Sequence, residues 1–199
     1  MSRHQANRAV RRQNLIEAAN AVMAARGFRG AGIAEIAAAA GIAPANLYRY
    51  FATKEDLVLA IVMAQRAEIG RCLAEARQGA RGARDALRRF MTAMTRAAIE
   101  PRMRAMWLEI LAEAARNPRI AQMLAADDAV LAAAFRELIE AGRAAGEIAA
   151  GADSPVLAHL LIALMDGAMA RAGYDAAFDL DAFLAAGEAL LFAQAQAAS

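Results

Sequence analysis

Glycine and proline interrupt this chain at a few widely spaced points, and the segments between those points carry apolar residues at helical spacing. The 199 residues include only four prolines, and alanine dominates the apolar residues, whereas valine, threonine and aromatic residues are sparse. Both features favour helix over strand. We therefore predict an all-α protein with helices at about residues 9–26, 54–78, 83–99, 102–116, 118–145, 154–172 and 181–195, and two short helices before residue 51.

Basic residues are concentrated at the N-terminal end. Residues 1–57 contain eight Lys or Arg side chains and four acidic ones, a net charge of +4, whereas the remainder carries −2. A positive end on a near-neutral body is what phosphate binding requires. A basic start is also common in chains that bind no nucleic acid, and the near-exclusive use of arginine, with Lys54 the one lysine, is what a GC-rich coding bias produces.

The sequence lacks the residue patterns of most enzymes. It has one cysteine, Cys72, and two histidines, His4 and His159, with no metal-ligand cluster, glycine-rich phosphate loop or nucleophile motif. We expect no catalytic site, no metal and no cofactor. A lone cysteine excludes an internal disulfide and suits a reducing compartment. The most apolar stretch, residues 156–165, ends at Asp166 and is too short to span a membrane, so we expect a cytoplasmic protein without a membrane partner.

The segment from Ile33 to Phe51 has the pattern of a helix-turn-helix. Two closely crossing helices need a small residue at the contact, a residue that tolerates positive φ in the turn, and apolar residues on both sides. Ala37 is the small residue, Gly41 makes the turn, and Pro44 suits the first turn of the second helix. The apolar positions are Ile36, Ile42 and Leu47. Because alanine and glycine are abundant here, an ordinary helical hairpin remains an alternative on this motif alone.

A longer match surrounds the motif. It comprises Leu15-Ile-Glu-Ala-Ala, Gly27-Phe, Ile36-Ala, Ala40-Gly-Ile, Leu47-Tyr-Arg-Tyr-Phe and Thr53-Lys-Glu-Asp-Leu57. In these residues the chain resembles the DNA-binding domain of the TetR family of bacterial transcriptional repressors, over about residues 9–57. The C-terminal part more faintly resembles the BetI-like branch of that family, through Trp107-Leu-Glu, Ala112-Glu-Ala-Ala-Arg-Asn-Pro118, Ala145-Gly-Glu-Ile148 and Leu164-Met-Asp-Gly167.

The resemblance implies two domains and a regulatory function. Residues 1–57 would form the helix-turn-helix DNA-binding domain with a basic N-terminal arm, and residues 58–199 a helical ligand-binding and dimerisation domain. The protein would be a homodimeric repressor that a small-molecule inducer, of unknown identity, releases from a palindromic operator in double-stranded DNA. A helical bundle that binds only other proteins is the alternative, and salt-sensitive DNA binding would distinguish the two.

The chain departs from the family pattern at two helix starts. The family usually has Thr or Ser opening the first motif helix and Ser or Thr capping the recognition helix, where this chain has Ala31-Gly32-Ile33 and Ala43. The loss of each side-chain cap removes about 1 kcal/mol of helix stabilisation. Any phosphate contacts at these two places must therefore come from backbone N–H groups.

The predicted recognition helix places its polar residues outward and Leu47 and Phe51 inward. Asn46 and Arg49 can pair with adenine and guanine edges, although Arg49 could equally contact a phosphate. The resemblance assigns the Tyr48 hydroxyl to the DNA backbone. Tyr50 either contacts a phosphate through its hydroxyl or is partly core. Thr53 is expected to cap the next helix with Asp56. At the start of that helix, Lys54 would add its charge to the positive N-terminal dipole and face a phosphate. The predicted DNA-binding residues are Ala45, Asn46, Tyr48, Arg49, Tyr50, Thr53 and Lys54, and the arm arginines Arg3, Arg8, Arg11 and Arg12 either reach a groove or fray.

Methionine and aromatic residues recur at helical spacing in the body. Such a stripe is usually core, but the resemblance implies a ligand cavity among these helices. The predicted ligand-binding residues are Phe90, Met94, Met103, Met106, Trp107, Glu109, Met123, Phe135 and Asp166. Glu113 and His159 are further polar candidates, and for the two glutamates a solvated position is an equal alternative.

The last two predicted helices have faces suited to dimerisation. Ala163, Gly167 and Ala170 form a shallow stripe that lets another helix approach closely, and two-fold symmetry would place two DNA-binding heads in register. The predicted interface residues are Leu160, Ala163, Leu164, Gly167, Phe183, Gly187, Leu190 and Leu191. Packing of both helices within one subunit is the alternative.

Overall fold

The computed structural model describes residues 3–148 and 153–192, and within these ranges every regular element is a helix. The helices are α1 (Arg3–Gly30), α2 (Ile33–Ala39), α3 (Pro44–Leu47), α4 (Lys54–Gln78), α5 (Ala83–Ile99), α6 (Pro101–Ala114), α7 (Pro118–Ala144), α8 (Ser154–Tyr174) and α9 (Leu180–Phe192). The all-α prediction is confirmed. The side chains of Arg3, His4 and Leu191, and the predicted last turn at residues 193–195, lie outside the described residues.

The helix boundaries follow the glycines and prolines, with three differences from prediction. α1 begins six residues earlier than predicted, at Arg3, and continues to Gly30 through a non-helical residue at Gly27. Polar residues at its start keep their helix propensity although they bury no apolar face. Ser154, predicted as an N-cap, lies inside the first turn of α8; the capping position belongs to Asp153, which makes no side-chain bond there.

The first compact unit comprises residues Met1–Gln65 together with Pro101–Ala125. Its core joins Leu15, Ile36, Leu47 and Leu57 to residues of the later helices α6 and α7. Those later residues are Met106, Ile110, Ile120 and Leu124. This N-terminal unit is therefore discontinuous in sequence, and the predicted division at residue 57 between DNA-binding and ligand-binding parts stays a prediction about function.

The second compact unit comprises residues Arg66–Glu100 and Ala126–Ser199. Its core is built from the later part of α4 and from α5, α7, α8 and α9, and it includes Phe90, Met94, Phe135 and Met165. The rings of Phe90 and Phe135 meet edge to face, with their centroids 5.1 Å apart. Cys72 is a buried member of the same core, where burial raises the pKa of its thiol, as expected for a small core residue.

Helix α8 is the most apolar element of this unit. By length and composition it could cross a membrane, with a mean hydropathy of 1.4 over its best window. This finding corrects the expectation that Asp166 leaves the segment too short. Several α8 side chains, including Leu161 and Met165, are buried in the unit's core, and buried helices of globular proteins commonly meet the same criterion.

Candidate DNA interface, ligand site and subunit interface

Helices α2 and α3 form the predicted helix-turn-helix. Ile36, Ala37 and Leu47 are fully buried, and Gly41 makes the turn with a φ of 68°. The turn is closed by a hydrogen bond of 2.9 Å from the Ile42 backbone N–H to the Ala37 carbonyl. A side chain at position 41 would strain this left-handed backbone. The motif positions therefore have the roles that the sequence indicated.

Neither helix of the motif has a side-chain cap. Gly32 precedes α2 and Ala43 precedes α3, and neither makes a capping bond. α3 is a single short turn that begins with Pro44. The start of α3 therefore has no side-chain acceptor from its N-cap residue.

The exposed side of α3 carries the side chains predicted to touch DNA. Ala45, Asn46 and Arg49 are exposed, and Tyr48 keeps 55% of its surface accessible. Tyr50 is half-buried. Because Leu47 and Phe51 are buried on the opposite side, the backbone that carries the exposed side chains is fixed to the core. Asn46 in α3, and Tyr48 and Arg49 in the turn that follows it, thus expose an amide, a phenol and a guanidinium to solvent.

Thr53 caps α4 reciprocally with Asp56, as predicted. The Asp56 N–H donates to the Thr53 hydroxyl at 3.1 Å, and the Thr53 N–H donates to the Asp56 carboxylate at 3.0 Å. Arg119 also donates to Asp56, at 2.6 Å. Burial raises the pKa of Asp56, but the hydrogen bonds from Thr53 and Arg119 outweigh it and hold the pKa below its usual value. The Thr53 hydroxyl is thus used within the protein.

Lys54 is placed differently from the expectation that it faces phosphate. Its ammonium donates a hydrogen bond to the Phe28 carbonyl and lies 4.6 Å from the centroid of the Phe28 ring. Burial lowers the pKa of Lys54, and the nearby Glu55 and Glu113 partly offset that effect. The lysine therefore joins the start of α4 to the end of α1.

Two carboxylates of α6 also contact the C-terminal end of α1. The Phe28 N–H donates to Glu109 at 3.0 Å, and the Arg29 guanidinium lies 3.3 Å from Glu113. Glu113 is buried and also accepts from Arg116 at 3.0 Å. Hydrogen bonds from Arg116 and Arg29 lower the pKa of Glu113. Both glutamates, considered for ligand binding on sequence grounds, contact α1 in the N-terminal unit.

Gly27 makes this arrangement possible. Its φ of 72° and ψ of 165° belong to a region that is almost exclusive to glycine. A Cβ at this position would also lie 2.8 Å from the Glu109 carboxylate. We expect Gly27→Ala to lower the free energy of unfolding by about 1–3 kcal/mol, measured by urea denaturation.

Gly30→Ala is the matched control for that experiment. It lies three residues further along, without a positive φ, and a Cβ there would make only an ordinary contact of 3.5 Å with Arg26. Its stability should stay within about 0.5 kcal/mol of the parent. Equal losses for the two variants would contradict the role assigned to Gly27.

The predicted ligand-binding residues fall into two separate cores. Phe90, Met94 and Phe135 are buried in the C-terminal unit, and Asp166 is half-buried there. The α6 residues Met103, Met106 and Trp107, with Met123 of α7, pack in or against the N-terminal core. Similar helical spacing in the sequence therefore does not show which of the two cores a residue joins.

Asp166 lies near a second carboxylate in the C-terminal unit. Burial, together with the negative charge of Asp128, raises the pKa of Asp166 to about 6. Burial also raises the pKa of Asp128, which His159 partly offsets. The imidazole of His159 lies within 2.8 Å of the Pro155 carbonyl in its own helix.

The residues predicted for dimerisation leave an apolar face on α8 exposed. Ala163 and Gly167 are exposed, Leu160 keeps 49% of its surface accessible, and Leu164 is half-buried. On α9, Leu190 is 80% exposed and Phe183 half-buried, whereas Gly187 is buried. A Cβ on Gly167 would meet no atom within 4 Å. The α8 face is therefore open in the single subunit.

Two protein-family models match most of the chain. Residues 15–61 match the family of bacterial regulatory proteins of TetR type, and residues 83–195 match the C-terminal domain of BetI-type transcriptional repressors. The chain belongs to the TetR family. It is accordingly a ligand-responsive, DNA-binding transcriptional repressor, and regulators of this family bind operator DNA and small-molecule ligands, typically as dimers.

This chain is similar to individual members of the TetR family at moderate sequence identity. The chain is 28% identical to the HTH-type transcriptional regulator UidR of Escherichia coli strain K12 over 161 residues, which cover 80% of each chain. It is 29% identical to BetI of Rhizobium meliloti over 116 residues, 58% of this chain and 57% of that one. The structure of Salmonella enterica GusR superposes with a TM-score of 0.77 at 28% identity, covering 94% of this chain and 95% of that one.

A polar groove in the C-terminal unit of this TetR-family protein was not anticipated. It has a volume of about 480 Å³ and lies at the start of α5. It is lined by Arg81, Gly82, Arg84, Asp85, Arg88, Gly146, Glu147 and Glu188. The Glu147 carboxylate accepts a hydrogen bond of 2.8 Å from the Arg84 N–H, so it caps α5. The Ala145-Gly-Glu-Ile148 match to the family thus includes a capping residue.

The sequence did not reveal which residues hold the end of α1 in this regulator. It also did not reveal the neighbours of the buried carboxylates. Phe28 and Glu109 are 81 residues apart, and no local pattern pairs them. Asp128 carried a weak signal, because it and Asp127 are the two acidic residues in the mostly apolar stretch 123–135 of α7. Gly27 carried a stronger one, because it belongs to the Gly27-Phe element of the family match.

Proposed function

We propose that this regulator reads its operator with α3. The observation that carries the proposal is the exposed run of Ala45, Asn46, Tyr48 and Arg49 on a turn whose other side is buried. Asn46 and Arg49 would pair with base edges in the major groove, and Tyr48 would donate to a phosphate. Lys54 is engaged with Phe28, so we assign it to the support of α4.

The C-terminal unit would provide the dimer contact. The open face of α8 around Leu160, Ala163 and Gly167, together with Leu190 of α9, can pack on its symmetry mate as a four-helix arrangement. A homodimer would match a palindromic operator, because each subunit then reads one half-site. DNA binding by the N-terminal unit and dimerisation by the C-terminal unit would agree with the predicted functional boundary at residue 57.

The inducer would bind in the C-terminal unit. Phe90 and Phe135 supply an apolar surface, Met94 is adaptable in shape, and Asp166 adds a half-buried carboxylate. These groups suit a small molecule with an apolar body and a cationic or hydrogen-bonding end. A ligand that binds the DNA-free conformation more tightly would release the operator. A cytoplasmic location follows from this function, since the operator is DNA.

Selection of DNA fragments tests the proposal directly. The full-length protein would be incubated with a library of random duplexes at low salt, and bound sequences recovered over several rounds. We expect an inverted repeat whose half-sites lie about one helical turn or a multiple apart. Recovery of no repeated sequence would contradict operator reading. A metabolite panel added to the selected complex would then identify the inducer by release of DNA.

Substitution at α3 should change the base preference. We expect Asn46→Ala and Arg49→Ala each to lose about 1–3 kcal/mol of discrimination at one base pair of each half-site. Competition binding against operators substituted one base pair at a time measures this loss. Tyr48→Phe is the comparison, because loss of a phosphate contact should weaken binding to all sequences alike. A uniform loss for Arg49→Ala would assign Arg49 to phosphate instead.

A further inference from the structure

The first turns of α1 carry a cluster of arginines outside the helix-turn-helix. Arg8, Arg11 and Arg12 are all exposed, and their spacing of three and four residues places them on one side of the helix. On sequence grounds this segment was either a groove-binding arm or a frayed end. In the structure it is helical from Arg3 onward.

Two aromatic residues hold this arginine cluster beside the recognition helix. The guanidinium carbon of Arg8 lies 6.0 Å from the centroid of the Tyr50 ring, and that of Arg12 lies 5.1 Å from the Phe51 ring. Tyr50 and Phe51 directly follow the exposed Arg49. Since cation–π contacts leave the N–H groups at the guanidinium edge free to donate, the arginines stay available to an acceptor.

The arginine cluster also differs from four other arginines of the N-terminal unit in having no acidic partner among the described residues. Those four pair with carboxylates: Arg26 with Glu35, Arg29 and Arg116 with Glu113, and Arg119 with Asp56. Among the described residues, Arg8, Arg11, Arg12 and Arg49 form no ion pair. The nearby carboxylate of Glu17 accepts from Gln13. Like charges at this helical spacing repel each other. An arginine cluster without acidic partners is therefore suited to binding a polyanion.

We propose that Arg8, Arg11 and Arg12 form a phosphate-binding surface that contacts the DNA backbone beside the base pairs read by α3. This inference rests on the proposed reading of DNA by α3. The surface adds affinity that does not depend on sequence, because phosphates are the same at every base pair. It would also hold the short, uncapped α3 in register by binding the strand next to it.

The salt dependence of binding tests this surface. Anisotropy titrations would use a fluorescent duplex with the selected operator and a scrambled duplex, between about 50 and 200 mM salt. Each phosphate contact contributes about 0.9 to the slope of log K against log salt, so Arg11→Ala should lower the slope of a dimer by about 1.8. The triple variant Arg8→Ala/Arg11→Ala/Arg12→Ala should lower it further and weaken binding to both duplexes by the same factor.

A second triple variant provides the matched control. Arg81→Ala/Arg89→Ala/Arg136→Ala removes the same charge from exposed arginines of the C-terminal unit that form no ion pair there, and it should leave the slope unchanged. Equal slopes for the two triple variants would overturn the proposal, as would a loss confined to the operator duplex. If the α1 triple variant does not fold, the slope of the single variant Arg11→Ala decides, because Arg11 is exposed and forms no ion pair or cation–π contact with the described residues.

The wild-type protein separates failure of this inference from failure of the proposed function. Wild-type binding with unchanged variant slopes overturns the phosphate surface alone. A wild-type protein that binds neither duplex at the lowest salt concentration overturns the reading of DNA by α3, and the phosphate surface with it.

Discussion

Gly167→Arg is expected to convert the dimer into monomers and to reduce operator affinity by about 100-fold or more. Gly167 lies in the open face of α8, and in the proposed dimer a helix of the second subunit would pack closely on this face and leave no room for a long charged side chain. A buried arginine without a partner in a subunit interface is strongly unfavourable. The operator affinity falls because a monomer binds only one half-site. Linking two binding sites in one complex raises the overall affinity by about 10²–10⁴.

Light scattering and operator titration measure the two parts of that prediction. The mass should fall from twice 21.0 kDa to 21.0 kDa, while circular dichroism keeps its helical signal, because a side chain at position 167 meets open space within the subunit. Ala74→Arg places the same charge on an exposed position of α4 and should remain dimeric. A folded Gly167→Arg protein that stays dimeric with full affinity would remove α8 from the interface.

Asp166→Asn is expected to stabilise the protein at neutral pH. The folded-state pKa of Asp166, about 6, is above the ordinary value of 3.8, so ionisation of this carboxylate opposes folding. This ionisation lowers the free energy of unfolding by its full amount above pH 7. The loss decreases as the pH falls through 6 and is absent below about pH 4. Asparagine never carries the charge. The variant should therefore gain about 1–3 kcal/mol in free energy of unfolding at pH 7.5 and very little at pH 4.

Denaturation at several pH values and one protein concentration tests this effect. The informative quantity is the difference in unfolding free energy between wild type and Asp166→Asn, because contributions from other groups cancel in it. Asp128→Asn supplies a second test, since it removes the neighbouring charge and should move the pH midpoint of that difference lower. A difference that stays constant from pH 4 to pH 8 would exclude Asp166 as its source.

The helices could largely be predicted because their ends are local. Gly79 and Gly82 stop α4 and delay α5, and Pro101 separates α5 from α6, so the observed limits of α4 and α5 agree with the predicted ones. The start of α1 could not be predicted, because its polar first turns bury no apolar stripe. Gly41 and Leu47 were assigned correctly for the same local reason: turn geometry and facing apolar residues follow from spacing.

The candidate sites were less predictable because they depend on contacts distant in sequence. Spacing showed that Met94 and Met106 each lie on an apolar helix face, but it did not show that these faces belong to different cores. It placed Lys54 at a helix start, yet the carbonyl that binds its ammonium lies 26 residues away in Phe28. Charge content indicated a basic N-terminus, while the contact of Arg12 with Phe51 required the fold.

The discontinuous N-terminal unit constrains how this regulator can recombine with its relatives. A single crossover after residue 57 or 65 would transfer the helix-turn-helix without residues 101–125, which supply Met106, Ile110 and Ile120 to its core. It would also separate Phe28 from Glu109 and Arg29 from Glu113. A gene fusion that exchanges operator specificity must therefore transfer both sequence segments of the unit. Alternatively, the protein that receives the helix-turn-helix must already carry compatible apolar and acidic residues in its own α6. The N-terminal unit is thus encoded by two separate segments of one chain.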